Sequence, residues 1–116
     1  AYTKSNIDMY IGIGGGPEGV LAAAALSCMD CQMQTRLVFQ NTDEKNRTKE
    51  LGIKDLRQKY NIDDMVKGDV IFCATGVTDG DFVKGIIDVG DSFKSETLVF
   101  HKSSKTNKII KNQTKK

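Results

Sequence analysis

Gly12-Ile13-Gly14-Gly15-Gly16-Pro17-Glu18-Gly19-Val20 runs straight into Leu21-Ala22-Ala23-Ala24-Ala25-Leu26, and this stretch decides the reading of the chain. The apolar run Met9-Tyr10-Ile11-Gly12-Ile13 before it predicts a buried strand. Consecutive glycines then permit backbone conformations and close ligand approach that a Cβ would forbid. Pro17 suits the first helical position, which makes Gly16 the expected N-cap. The small and apolar residues from Val20 to Leu26 predict a helix that packs closely on a sheet. Free N–H groups in the loop and first turn, with the positive end of the helix dipole, favour an anion such as phosphate.

Glu18 conflicts with that picture, because an ionised carboxylate in the first turn repels phosphate. A hard divalent cation, Mg²⁺ or Mn²⁺, resolves the conflict by taking oxygen from the carboxylate and from substrate phosphate together. The alternative is that Glu18 complements the helix dipole, which is worth ~0.3–1 kcal/mol. Gly14-Gly15-Gly16-Pro17-Glu18-Gly19 also satisfies the G-x-G-x-x-G pattern of dinucleotide-binding folds. That fold expects a parallel strand ending in an acidic residue about 20 positions on. Here the next strand candidate, Gln32-Met33-Gln34-Thr35-Arg36-Leu37-Val38-Phe39, ends in Gln40-Asn41, and Asp43 comes too late.

Several separated blocks carry a family resemblance. They are the sequence from Tyr10 through Ala24, then Gln32-Met33-Gln34-Thr35-Arg36-Leu37, then Gly52-Ile53-Lys54-Asp55-Leu56, and then Asp69-Val70-Ile71-Phe72-Cys73-Ala74-Thr75-Gly76-Val77-Thr78-Asp79-Gly80. In this order they resemble the C-terminal part of class II, GlpX-type fructose-1,6-bisphosphatases, over residues 6–101. The resemblance implies the C-terminal domain of the lithium-sensitive sugar phosphatase fold and hydrolysis of fructose 1,6-bisphosphate to fructose 6-phosphate and phosphate. It makes Glu18 a metal ligand for Mn²⁺ or Mg²⁺ and Gly15 a backbone contact to substrate, with Gly14 and Gly16 beside it. By the same resemblance, the family's other metal-binding carboxylates and most of its sugar- and phosphate-binding residues lie in an N-terminal part that residues 1–116 do not contain. The start at Ala1-Tyr2-Thr3-Lys4, without an initiator Met, fits a fragment or a processed chain that is catalytically incomplete alone.

Bulk composition agrees with one small domain: in 116 residues, 39% are hydrophobic and 28% charged, with a net charge of +2, so neither a strongly basic nor a strongly acidic partner is indicated. No apolar run reaches bilayer length and no signal-peptide pattern is present. The expected location is the cytoplasm, with no membrane or nucleic-acid partner. Cys28, Cys31 and Cys73 are an odd number, which fits reduced, small, buried thiols rather than a disulfide framework or a zinc site. A domain built to dock on a missing part leaves an apolar face bare, so self-association into a homo-oligomer is also expected.

Further along, residues 42–52 predict a short exposed helix capped at Thr42, and Asp63 and Asp64 predict caps of a short turn. Residues 70–74 predict a buried strand leading into a second glycine loop, Thr75-Gly76-Val77-Thr78-Asp79-Gly80-Asp81. Asp79 and Asp81 there are chemically able to ligate metal, though tight Asx-turn chemistry explains them as well. Both glycine loops could face one cleft at strand ends. Residues 96–101 and 108–111 predict a hairpin whose lysines discourage edge pairing. His101 reads as a surface strand residue.

The combined expectation is an α/β layered sheet alternating with helices and closing in a C-terminal β-hairpin. Glu18 supplies one metal ligand and Gly14, Gly15 and Gly16 a substrate loop. A nucleotide-binding α/β module and a non-catalytic assembly domain are the competing classes.

Overall fold

The computed structural model describes residues 7–116, so the reading of residues 1–4 lies outside the described residues. Helix α1, Gly16–Cys28, begins one residue earlier than expected, with Gly15 as an extended N-cap and Pro17 in the opening turn. No side chain caps it, which leaves the first N–H groups open. Ala23 is 0% exposed, and its small side chain lets the helix lie close to its neighbours. Strand β1, Gln34–Arg36, pairs antiparallel with β2, Lys59–Asn61.

Between them lies α2, Thr42–Glu50. Its cap is Asn41, not Thr42: Glu44 donates its backbone N–H to Asn41 Oδ1 at 2.9 Å. Helix α3, Ile62–Met65, is likewise capped by Asn61, and Asp64 completes a capping box by accepting from the Asn61 N–H at 2.8 Å. Asp63 and Asp64 thus stand in the first turn and not at the N-cap, with Asp64 taking part in the capping from N3.

Four further strands follow: β3 Ile71–Thr75, β4 Ile87–Asp88, β5 Ser92–His101 and β6 Thr106–Lys115. β5 is the spine, with β6 along one edge for its full length and β3 and β4 sharing the other. The expected C-terminal hairpin is therefore present and longer than its sequence signal. Among the described residues every pairing is antiparallel, and the three helices precede the larger sheet. The α/β character holds: helices and strands alternate from α1 to β3, and the larger sheet is then completed by the consecutive strands β4, β5 and β6.

Residues 9–13, expected as a buried strand, carry no strand assignment. Met9 is 75%, Tyr10 88%, Ile11 86% and Ile13 88% exposed. An extended segment becomes a strand only when a neighbour takes its ladder hydrogen bonds, and no described strand pairs with this one.

The core is small: Cys28, Leu98 and Phe100 are buried together, flanked by Val70, Phe72 and Val83. Phe72 and Phe100 are direct cross-strand partners, their rings stacked at 6.2 Å. Cys28 fulfils its expected burial, whereas Cys31 and Cys73 are exposed. Cys73 lies on β3, which alternates exposed and half-buried residues, so its side of the sheet lacks a covering layer. The chain exposes 9344 Å², against roughly 6300 Å² for a compact monomer of this mass. Its radius of gyration is 17.9 Å, against about 13 Å for a compact domain of this length.

Polar contacts fasten the hairpin turn to the rest, among them Lys102 N–H donating to Val70 O at 2.9 Å. Lys105 reaches Asp30 beyond the end of α1. Asp69, just ahead of β3, accepts from Ser103 Oγ and pairs with His101 Nε2, both at 2.8 Å. These bonds hold the Asp69 carboxyl down to about 2 from its usual 3.8, Ser103 contributing most and His101 next. A carboxyl depressed on folding stabilises the fold above its unfolded value and loses that contribution as pH falls through the folded one. The stability difference between wild type and Asp69→Asn is therefore expected to be full above about pH 4 and to vanish towards pH 2. Denaturant midpoints measured across that range test this, and a pH-independent difference would rule out the carboxylate as its source.

Candidate active site at the start of helix α1

Glu18 sits in the first turn of α1, where the dipole and unpaired N–H groups concentrate positive potential. Its side chain folds back across the loop: a Cβ built on Gly15 would overlap Glu18 Oε2. Gly15 thus leaves room for the carboxylate to lie against the backbone of the cap, and Gly15 O accepts from Gly19 N at 3.0 Å, opening the helix. Gly14 and Gly16 have open space where a Cβ would stand. The glycines with positive φ are Gly52, Gly68 and Gly90, so the loop glycines offer close approach rather than left-handed backbone.

The antiparallel course of β1 bears on the dinucleotide reading. That fold requires the strand after the glycine helix to lie parallel to the strand before it, in one sheet. Here β1 forms a separate two-stranded ribbon with β2. The crevice that would hold a dinucleotide is not built by the described strands.

Asp79 and Asp81 are not gathered to Glu18. Asp79 Oδ1 accepts from Gly85 N at 2.9 Å, fastening its own loop as an Asx-type brace. Gly80 N donates to Val83 O and Ile86 N to Val77 O. The turn is tight enough that a Cβ on Gly85 would come within 2.7 Å of the Thr78 backbone. Glu96 Oε2 accepts from Lys84 N at 3.0 Å, the main cause of its lowered pKa. Among the described residues there is no group of three or more His, Cys, Asp or Glu that could hold a metal ion.

The expected common cleft is not formed by either of two concavities of the described residues. One, of about 230 Å³, is lined by Gly12, Gln34, Thr35, Arg36, Val38 and Lys59. Another, of about 300 Å³, lies over the sheet at Thr75, Ile86 and Phe93. Neither joins the two glycine loops. Sequence reading missed the Arg36 and Lys59 juxtaposition because the residues are far apart in the chain, and only strand register reveals it. It missed the Asp69 network for the same reason: His101 is a surface strand residue as expected, but its Nδ1 also engages Ser104 Oγ at 2.8 Å. Among the described residues, no helix is long and apolar enough to cross a membrane.

Residues 1–114 match the family model described as bacterial fructose-1,6-bisphosphatase, glpX-encoded. The chain is similar to the D-fructose 1,6-bisphosphatase class 2/sedoheptulose 1,7-bisphosphatase of Synechococcus sp. (strain JA-3-3Ab), at 32% identity over 94% of this chain and 35% of the relative. The fructose-1,6-bisphosphatase class 2 of Haemophilus influenzae is 35% identical over 88% of this chain and 34% of its own length. The chain thus spans about a third of the curated relatives that it matches.

Proposed function

The chain belongs to the bacterial, glpX-encoded fructose-1,6-bisphosphatase family, and from this premise we propose that it is the C-terminal segment of a class II fructose-1,6-bisphosphatase. In this reading the enzyme removes the 1-phosphate of fructose 1,6-bisphosphate, giving fructose 6-phosphate and phosphate for gluconeogenesis in the cytoplasm. The observation that carries the site assignment is the Glu18 carboxylate folded against Gly15 at the uncapped start of α1. Glu18 fits as one oxygen ligand of a hard cation, Mn²⁺ or Mg²⁺. The remaining ligands belong to the other two thirds of the enzyme, and with them the sugar phosphatase fold is completed.

When bound, the cation supplies Lewis acidity and charge neutralisation for phosphoryl transfer. Glu18 brings the negative charge that draws the cation to the start of α1. Gly14, Gly15 and Gly16 let substrate oxygens approach the backbone, where N–H groups can donate to them. The exposed apolar side chains of residues 9–13 are covered in this reading by the N-terminal part, with a second copy completing a homo-oligomer.

A chimera tests this reading: the present chain replaces the corresponding third of the Haemophilus influenzae relative. Mn²⁺-dependent phosphate release from fructose 1,6-bisphosphate is expected, while the 116-residue chain alone stays at background. A folded chimera without turnover, or robust turnover by the chain alone, would contradict the proposal.

A further inference from the structure

His101, the last residue of β5, is held by its ladder pairing with Ile71 of β3, and side chains engage both of its ring nitrogens. Nε2 stands 2.8 Å from Asp69 Oδ2, and Nδ1 stands 2.8 Å from Ser104 Oγ. An ionised carboxylate can only accept, so the proton of the neutral ring lies on Nε2 and the Nδ1 lone pair accepts the Ser104 O–H. Thr106 Oγ1, 2.6 Å from Ser104 Oγ, then donates to the hydroxyl that has given its own proton to the ring. Ser103 plays a different part. Its hydroxyl and its N–H donate to the two Asp69 oxygens at 2.8 and 3.0 Å, and its Oγ lies 3.2 Å from Nε2, the nitrogen without a lone pair to offer. The turn itself closes through Lys105 N–H donating to Lys102 O and does not need the Ser104 hydroxyl, which belongs to an exposed residue. A hydroxyl in hydrogen-bond reach of a base, with the base oriented by a third group, is the arrangement that activates a nucleophile.

We infer that Ser104 is an acyl-accepting nucleophile, with His101 as its base and Asp69 as the residue that positions the ring. Ser104 Oγ forms a bond to the carbonyl carbon of an ester while its proton passes to His101 Nδ1. Collapse of the tetrahedral adduct breaks the bond to the leaving oxygen, which departs as an alcohol or phenol with that proton, and the acyl group stays on Ser104. No change of oxidation state is involved. Neither concavity takes in the turn, so the fitting substrate class is a small activated acyl donor with a good leaving group, not an amide that must be bound and oriented. Ser104, His101 and Asp69 share no residue with the start of α1, and the inference stands apart from the phosphatase reading.

The experiment treats the chain with p-nitrophenyl acetate near neutral pH and follows acetylation residue by residue by peptide mass spectrometry. Ser104 is expected to be acetylated at least about a hundredfold faster than its neighbour Ser103, the lower end of what a positioned base contributes. His101→Gln should bring Ser104 down to the Ser103 rate. Nitrogen-15 NMR of the His101 ring in the wild-type chain should show the proton on Nε2. Asp69→Asn lets the side-chain amide donate to Nε2 and puts the ring proton on Nδ1, facing Ser104. Acetylation should then fall together with that change of tautomer, which a merely structural loss would not produce. Circular dichroism establishes that each variant is folded, and the Ser103 comparison and the ring spectrum need no variant at all. Ser104 reacting no faster than Ser103, a wild-type ring protonated on Nδ1, or undiminished labelling in a folded His101→Gln chain would each overturn the inference.

Discussion

Glu18→Gln in the chimera is expected to lower phosphate release by roughly two to three orders of magnitude, the scale of losing one electrostatic element of a preorganised site. Glutamine keeps the length and hydrogen-bonding capacity of the side chain but removes the charge that a hard cation requires. Excess Mn²⁺ should restore only part of the rate, because affinity rather than access is lost. Folding should change little, since the Glu18 side chain lies over a glycine at the surface and not in the core. The dipole alternative makes a different forecast, in which stability falls by ~0.3–1 kcal/mol and turnover persists. Initial rates across a Mn²⁺ series, with melting curves on the same samples, separate the two. Near-normal turnover with an unchanged metal requirement would remove Glu18 from the metal site.

Phe100→Ala is expected to abolish the cooperative unfolding transition of the chain at 25 °C. Phe100 is 4% exposed and stacks on Phe72 beside Leu98. Removing a buried phenyl ring costs about 3–5 kcal/mol through lost transfer energy and the cavity left behind. A core of this size has little reserve, so that loss rivals the whole stability. Ile71→Ala, on the same sheet but 65% exposed, should cost well under 1 kcal/mol. Circular dichroism through a denaturant series reads both. A Phe100→Ala chain with a wild-type midpoint would mean that the fold is held elsewhere.

Local chemistry was legible wherever one turn of backbone decides the outcome. The helix after the glycine loop, the acid-first helix Thr42–Glu50 with Gly52 at φ of +92° just past its end, and the lysine-bearing hairpin all follow from residues within a few positions of one another. Caps slipped by one place, to Gly15 and Asn41, because neighbouring residues offer nearly equivalent capping groups and packing selects between them. The strand expected at residues 9–13 failed for a nonlocal reason: apolarity equips a segment for burial, but burial needs a partner. Cys73 came out exposed on the same ground, since the β3 pattern cannot tell which side another layer covers.

Sequence alone determined the family, the helix after the glycine loop with a single carboxylate in its first turn, and the class of most elements, because these depend on short-range spacing and side-chain chemistry. Tertiary structure decided the antiparallel order of β3 to β6, the binding of Asp69 to His101 and Ser103, and the facing of Arg36 and Lys59. Each depends on strand register between distant segments. Register is selected by the pairing as a whole, through the ladder bonds and the face that is buried, and no single residue carries that information.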